Sequence, residues 1–159
     1  MINNPDRKFL QMAVDLAVEN VRSGKGGPFG AVIVKDGEVL ATGVNLVTSN
    51  NDPTAHAEIT AIRNATAKLK DFQLNGCTLY SSCEPCPMCL GAIYWARPER
   101  LVYATSKHDA ADAGFDDAFI YDELELPIAQ RHLKTEYCPE EPYKLPFQIW
   151  KESAAKTEY

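Results

Sequence analysis

The sequence has no apolar run approaching the roughly 18–20 residues that a membrane-spanning helix needs, so no membrane partner is expected. Its opening stretch, Met1 to Lys8, has no hydrophobic segment behind its charges and does not read as a secretory signal. Clustered basic charge is equally scarce. Of sixteen Lys and Arg residues only Arg7 and Lys8 are adjacent, and the net charge is −6. A polyphosphate would find no basic stripe, so no nucleic acid partner is expected. Internal repeats, low-complexity tracts and linkers are absent, and 159 residues are enough for one core, which predicts a single domain over 1–159. An even cysteine set is missing too. The five cysteines are Cys77, Cys83, Cys86, Cys89 and Cys138, three of them in one short segment. That pattern reads poorly as a disulfide framework and better as a metal or redox site in a reducing cytoplasm.

What is present falls into alternating elements. Phe9, Met12, Ala13, Leu16, Ala17 and Val21 follow the spacing of an amphipathic helix, which opens at Pro5-Asp6 and ends at Ser23-Gly24. A glycine-dense loop, Gly26 to Gly30, leads into a β-branched run over Ala31 to Lys35. Asp36-Gly37 and a second run, Val39 to Val44, complete a hairpin signature. A second helix, capped by Asp52 or Thr54, is predicted to run to about Leu69. Strands follow over Cys77 to Ser81 and Arg100 to Thr105, with a helix over Pro85 to Ala96 between them. Short helices over 116–124 and 147–156 and a short strand over 133–137 close the chain. Each helix needs a sheet face for its apolar stripe, which gives an α/β fold: a three-layer α/β/α sandwich around a mixed sheet of about five strands.

Two short pieces carry chemistry. His56-Ala57-Glu58 and Pro85-Cys86-Pro87-Met88-Cys89 each fall near a predicted helix N-terminus. Zinc is bound tetrahedrally by sulfur and nitrogen, and catalytic sites use three protein ligands with the fourth position left to water. Cys86 and Cys89, three apart, share a helix face, and His56 is the natural third ligand. The positive helix ends favour thiolates there. Glu58 then serves as an acid/base beside the metal rather than as a ligand. H-x-E followed by P-C-x-x-C is the signature of zinc deaminases, in which the Glu moves protons. Two other readings stay open. Cys83 as a fourth ligand would make a structural zinc site, and C-x-x-C alone can be a redox pair. His108, His132, Cys77 and Cys138 read as residues unrelated to the metal.

On these motifs the sequence resembles the cytidine deaminase-like superfamily, and within it the short bacterial guanine deaminases, over nearly the whole chain. Asn51 to Glu58 and Pro85 to Cys89 are shared with tRNA adenosine deaminases and so fix the chemistry but not the substrate. Gly26 to Ala31, Ala113-Gly114-Phe115-Asp116-Asp117 and Glu158-Tyr159 are similar to guanine deaminase in particular. Where the tRNA enzymes carry a Lys/Gly-rich segment, this chain has the acidic stretch His108 to Asp112. The resemblance implies a Zn2+-dependent enzyme that hydrolyses guanine to xanthine and ammonia, with Glu58 shuttling the proton. It implies substrate contacts from Asn45, Ala57 and Asp117, aromatic faces from Phe29 and Trp95, and closure by Tyr159. It also implies a homodimer, with the segment of about 140–159 exchanged between copies. Local alternatives remain: Asn45 as a strand-end cap, Trp95 as core, and Asp116 or Asp117 as a helix cap. Other aminated rings (guanosine, a triazine, tRNA adenosine) and a non-catalytic zinc-stabilised module are the competing functions.

Overall fold

In the computed structural model, which describes residues 4–159, the amphipathic spacing near the start forms a helix α1 over Asn4–Arg22. Met1 to Asn3, the first residues of the opening stretch, lie outside the described residues. The hairpin forms as expected, from β1 over Gly30–Lys35 and β2 over Glu38–Val44. Asp36 and Gly37 between them have φ of 52° and 79°, the doubly positive geometry that suits the right-handed twist of a tight hairpin. A third strand, β3 over Cys77–Cys83, pairs antiparallel with β1, and a fourth, β4 over Arg100–Thr105, runs parallel to β3. The order is β2-β1-β3-β4. Parallel neighbours need a crossover, and a helix α4 over Pro87–Ala96 lies in that connection.

The period of two along the strands divides the core. Val32, Val34 and Tyr80 face α1 through Phe9 and Ala13. Ala31, Ile33 and Leu79 face the other way, onto Ala57, Ala61 and Ala65 of a helix α3 over Ala57–Leu69 and onto Ile93 and Ala96 of α4. This is the expected three-layer sandwich. The start of α1 is pinned to the sheet by Asp6. Its carboxylate accepts from the Tyr80 hydroxyl at 2.7 Å and from the Arg100 guanidinium at 3.2 and 3.3 Å. On the opposite face α3 lies close to the sheet because its inner residues are alanines and its neighbour is Gly43. A Cβ at Gly43 would sit 2.2 Å from the Ala57 carbonyl oxygen and 2.3 Å from the Ala61 nitrogen. That approach holds the first turn of α3, which carries Glu58, against the sheet.

Several expectations are corrected. The sheet of the described residues has four strands rather than five. Residues 133–137 form no strand, and Leu133 and Tyr137 at its ends are exposed. An extended segment becomes a strand only when a neighbour takes its backbone N–H and C=O groups. α3 begins at Ala57, not near Asp52, because a four-residue helix α2 (Val47–Asn50) and the turn after it occupy the connection. α4 begins at Pro87 rather than Pro85. A helix α5 over Lys107–Asp112 stands in a stretch to which the sequence pattern assigned no element, started by a reciprocal cap between Ser106 and Asp109. The last two α-helices are α6 over Ala118–Glu125 and α7 over Leu145–Glu152.

By its internal contacts the chain divides into two compact units, Met1–Ala118 and Phe119–Tyr159. The whole sheet and both core clusters belong to the first. Among the described residues no helix is long and apolar enough to cross a membrane.

Candidate active site

His56 and Cys86 occupy equivalent places, each the residue immediately before a helix. His56 precedes α3 with φ −68° and ψ 162°, and Cys86 precedes α4 with φ −64° and ψ 167°. Extended backbone at both caps turns the two side chains away from the helix axes and into the space before the first turns. Glu58 is then the second residue of α3 and Cys89 the third of α4. The divergence of half a turn that separates i and i+2 inside a helix does not arise for His56 and Glu58.

The ring Nδ1 of His56 lies 3.6 Å from the Cys86 sulfur and 3.5 Å from the Cys89 sulfur. All three ligand atoms are within 4.8 Å of one another, the group among the described residues that could hold a metal ion. A tetrahedral zinc with Zn–S of about 2.3 Å and Zn–N of about 2.0–2.1 Å sets its N···S edges at about 3.5–3.6 Å. The observed separations match, so the donor set fits zinc. The fourth-ligand reading of Cys83 is not supported. Cys83 stands outside this group, its buried thiol faces the Ser106 carbonyl oxygen at 3.4 Å, and burial pushes its pKa up.

The electrostatics agree with a cation site. Hydrogen bonds from Cys89, and from His56 opposite, bring the Cys86 thiol down to about 4. Cys89 keeps its proton, held by the adjacent Cys86 sulfur and by burial. The His56 imidazole is shifted upward, chiefly by its hydrogen bond to Cys86. Such a cluster of shared protons is what a dication replaces, taking both sulfurs as thiolates.

Glu58 is 6 % exposed, and burial raises its pKa, opposed by hydrogen bonds that include those to Ser81 and Cys89. The Ser81 hydroxyl donates to Glu58 Oε1 at 3.0 Å. Ser81 was missed from sequence. Its signal was available: two residues after Leu79 on β3, it shares the strand face that meets α3, and a polar residue buried there needs a polar partner.

Asn45 is buried just beyond β2, and its Oδ1 accepts from the Gly27 amide at 3.4 Å and the Val47 amide at 3.3 Å. Ala57 is fully buried at the first position of α3, where a backbone N–H has no partner within the helix. Phe29 packs edge-on against Phe115, with ring centroids 5.0 Å apart and planes at 88°. Phe115 was also missed as a contact, although it lies in the stretch 113–117 singled out above. Its packing ties that stretch to the glycine loop. Asp117 is two residues on, and its pKa is raised by burial and then by the Cys86 thiolate, so it senses the sulfur cluster. Asp116 is the helix cap, accepting from the Ala118 amide at 2.8 Å. Trp95 is 64 % exposed, which excludes the core alternative. Six residues beyond Cys89 on α4, it lies about 9 Å further along the axis. Tyr159 is exposed within the second unit. His132 pairs with Glu123 at 2.7 Å, also in the second unit, and takes no part in the group.

Comparison with known proteins agrees with this chemistry. Residues 3–105 match the family model of the cytidine and deoxycytidylate deaminase zinc-binding region. A guanine deaminase of Bacillus subtilis is 57 % identical over 151 residues, which cover 95 % of this chain and 97 % of that protein. The X-ray structure of guanine deaminase from B. subtilis superposes with a TM-score of 0.95 at 55 % identity, covering 99 % of both chains. A tRNA-specific adenosine deaminase of Buchnera aphidicola subsp. Schizaphis graminum is 40 % identical over 109 residues, or 69 % of this chain and 72 % of that one. The chain therefore belongs to the zinc-dependent cytidine and deoxycytidylate deaminase family, and within it to the guanine deaminases.

Proposed function

We propose that the protein hydrolyses guanine to xanthine and ammonia, with His56, Cys86 and Cys89 holding the zinc and Glu58 moving the protons. The observation that carries this reading is the placement of a buried carboxylate beside an open three-ligand group at two helix N-termini. Zinc held there supplies Lewis acidity that makes water a nucleophile near neutral pH. The Ser81 hydroxyl on Oε1 orients the Glu58 carboxylate, which takes the proton of the attacking water. Glu58 passes that proton to a ring nitrogen as oxygen adds at C2, then takes the proton of the new C2 hydroxyl and delivers it to the amine, which leaves as ammonia while C2=O forms. One group can do both because burial brings a carboxyl toward the pH at which it must give and take.

Recognition of the base falls to residues of the first unit. An ionised Asp117 accepts from N1–H and the 2-amino group of guanine, whereas adenine offers an acceptor at N1, which a carboxylate cannot pair. Asn45 and the Ala57 amide complete the polar contacts, and Phe29 covers one face of the ring. A net charge of −6 and the acidic run His108 to Asp112 favour a free base over a nucleic acid. All five cysteines are unpaired, which fits a reducing cytoplasm.

The second unit supports a homodimer in which the segment of about 140–159 is exchanged. None of its residues is buried, although it carries Phe147, Ile149, Trp150 and Tyr159. Exchange of an element between identical copies covers such a surface at low cost. Tyr159 would then close the partner's pocket, beside the exposed Trp95.

Guanine turnover by the zinc-loaded protein and its Glu58→Gln variant tests the reading. Glutamine keeps the shape but cannot accept a proton, so zinc and guanine should still bind while kcat falls by about two to four powers of ten. Near-native turnover in the variant would remove Glu58 from the mechanism.

A further inference from the structure

The last turn of α1 carries a buried asparagine that the deamination chemistry leaves unexplained. Asn20 is 3 % exposed. Its Nδ2 donates to the Asn45 carbonyl oxygen at 2.8 Å and to the Gly27 carbonyl oxygen at 2.9 Å. Its Oδ1 is buried with no hydrogen-bond partner. An unpartnered buried acceptor is a standing cost, so whatever this amide contributes comes through the two bonds it donates.

Both bonds converge on one contact. The Gly27 amide donates to Asn45 Oδ1, and at 3.4 Å that bond is long. Asn20 holds the carbonyls of both residues in it. The backbone of Asn45 is fixed further by its own N–H, which donates to the Phe29 carbonyl oxygen at 3.1 Å. Gly26 presses on the same place, since a Cβ there would lie 2.1 Å from the Asn45 carbonyl oxygen. The side-chain atom of Asn45 that faces the Gly27 and Val47 amides must be oxygen, because two N–H donors require an acceptor. Its other end is therefore Nδ2, a donor.

We propose that Asn20 is a positioning residue: by clamping Gly27 and Asn45 together it locks the Asn45 amide with Nδ2 toward the substrate. The site then selects a ring that offers a hydrogen-bond acceptor at that edge. This rests on the reading that Asn45 contacts the base. Without the clamp the long Gly27–Asn45 bond loosens, only the Val47 amide at 3.3 Å still holds Asn45 Oδ1, and the amide turns more readily to present an oxygen to an acceptor edge.

The test is a double-mutant cycle with guanine and zinc-loaded protein: wild type, Asn20→Ala, Asn45→Ala and the double variant. Asn20→Ala should raise KM about tenfold, the size of one well-aligned bond, with kcat within about twofold and zinc content unchanged. In the Asn45→Ala background the same change should leave KM where Asn45→Ala alone puts it. An equal multiplicative loss in both backgrounds would overturn the proposal, as would a fall in kcat or zinc content with KM unmoved. If Asn45→Ala alone leaves KM at the wild-type value, the assignment of Asn45 to the base fails and the proposal fails with it. Where Asn20→Ala does not accumulate as a folded protein, Asn20→Asp keeps the shape without the donors. The proposal predicts the same rise in KM for it, and a wild-type KM would contradict it.

Discussion

The two units of the chain contrast in how they use apolar residues. Met1–Ala118 holds the four-stranded sheet, both core clusters and the metal-binding group, with Ile33, Leu74 and Leu79 wholly inaccessible. Phe119–Tyr159 is as rich in large side chains, yet Phe147 is 71 % exposed, Leu133 76 % and Tyr137 87 %. The first unit buries the sheet-facing part of its hydrophobic pattern internally, and there pattern and structure agree. The second does not, and its large apolar side chains stay exposed. The metal-binding group lies in the first unit, and the exchange proposed above would give the second unit of a partner copy the role of closure.

Substitutions at the metal group break the contrast most severely. Cys89→Ala should remove nearly all the zinc and all activity, while Cys83→Ala should keep about one zinc per chain, as measured by metal analysis. A Cys83→Ala protein equally free of metal would restore the four-ligand structural site.

The second unit is tested next. Deleting Lys156 to Tyr159 should leave fold and zinc intact but lower guanine turnover on the order of a hundredfold, by exposing or loosening the pocket. Exchange makes a sharper claim. A mixed dimer of a Tyr159-deleted chain with a Glu58→Gln chain should keep about half the native activity, because one pocket then carries both defects and the other neither. A tail serving its own chain leaves almost none, and full activity in the simple truncation marks the tail as unused.

How much was legible follows the same division. The hairpin, the parallel pairing of β3 with β4, the layers and the grouping of His56, Cys86 and Cys89 could be read because local pattern and burial coincide there. The ends of α3 and α4 could not be set correctly, since His56 and Cys86 are themselves the capping residues and neither is a usual cap. The strand expected at 133–137 failed, and α5 went unread, for opposite reasons. A strand needs a partner that the sequence cannot supply, and α5 is started by a four-residue cap too short for periodicity to register. Ser81 and Phe115 went unnoticed because their roles depend on what the fold brings opposite them.

Smaller effects sharpen the assignment of substrate contacts within the first unit. Asp117→Asn should cost about 1.5–3 kcal/mol in kcat/KM for guanine, the worth of a charged hydrogen bond. Asp116→Asn, at a helix cap, should cost much less. Equal losses at the two positions would remove Asp117 from the base. Ser81→Ala should lower kcat by roughly fivefold, about 1 kcal/mol for one neutral hydrogen bond, with KM nearly unchanged. Restoration by Ser81→Thr separates the hydroxyl from packing; a threonine variant as slow as the alanine one would assign Ser81 to packing alone.

The most direct test of the account is ammonia release by the zinc-loaded protein from guanine, guanosine, adenine, cytosine and cytidine at equal concentration. Guanine should be turned over fastest, because its N1–H and 2-amino donors suit Asp117. Faster release from adenine or cytosine would contradict the recognition scheme, and release from none of the five would contradict the enzyme reading itself.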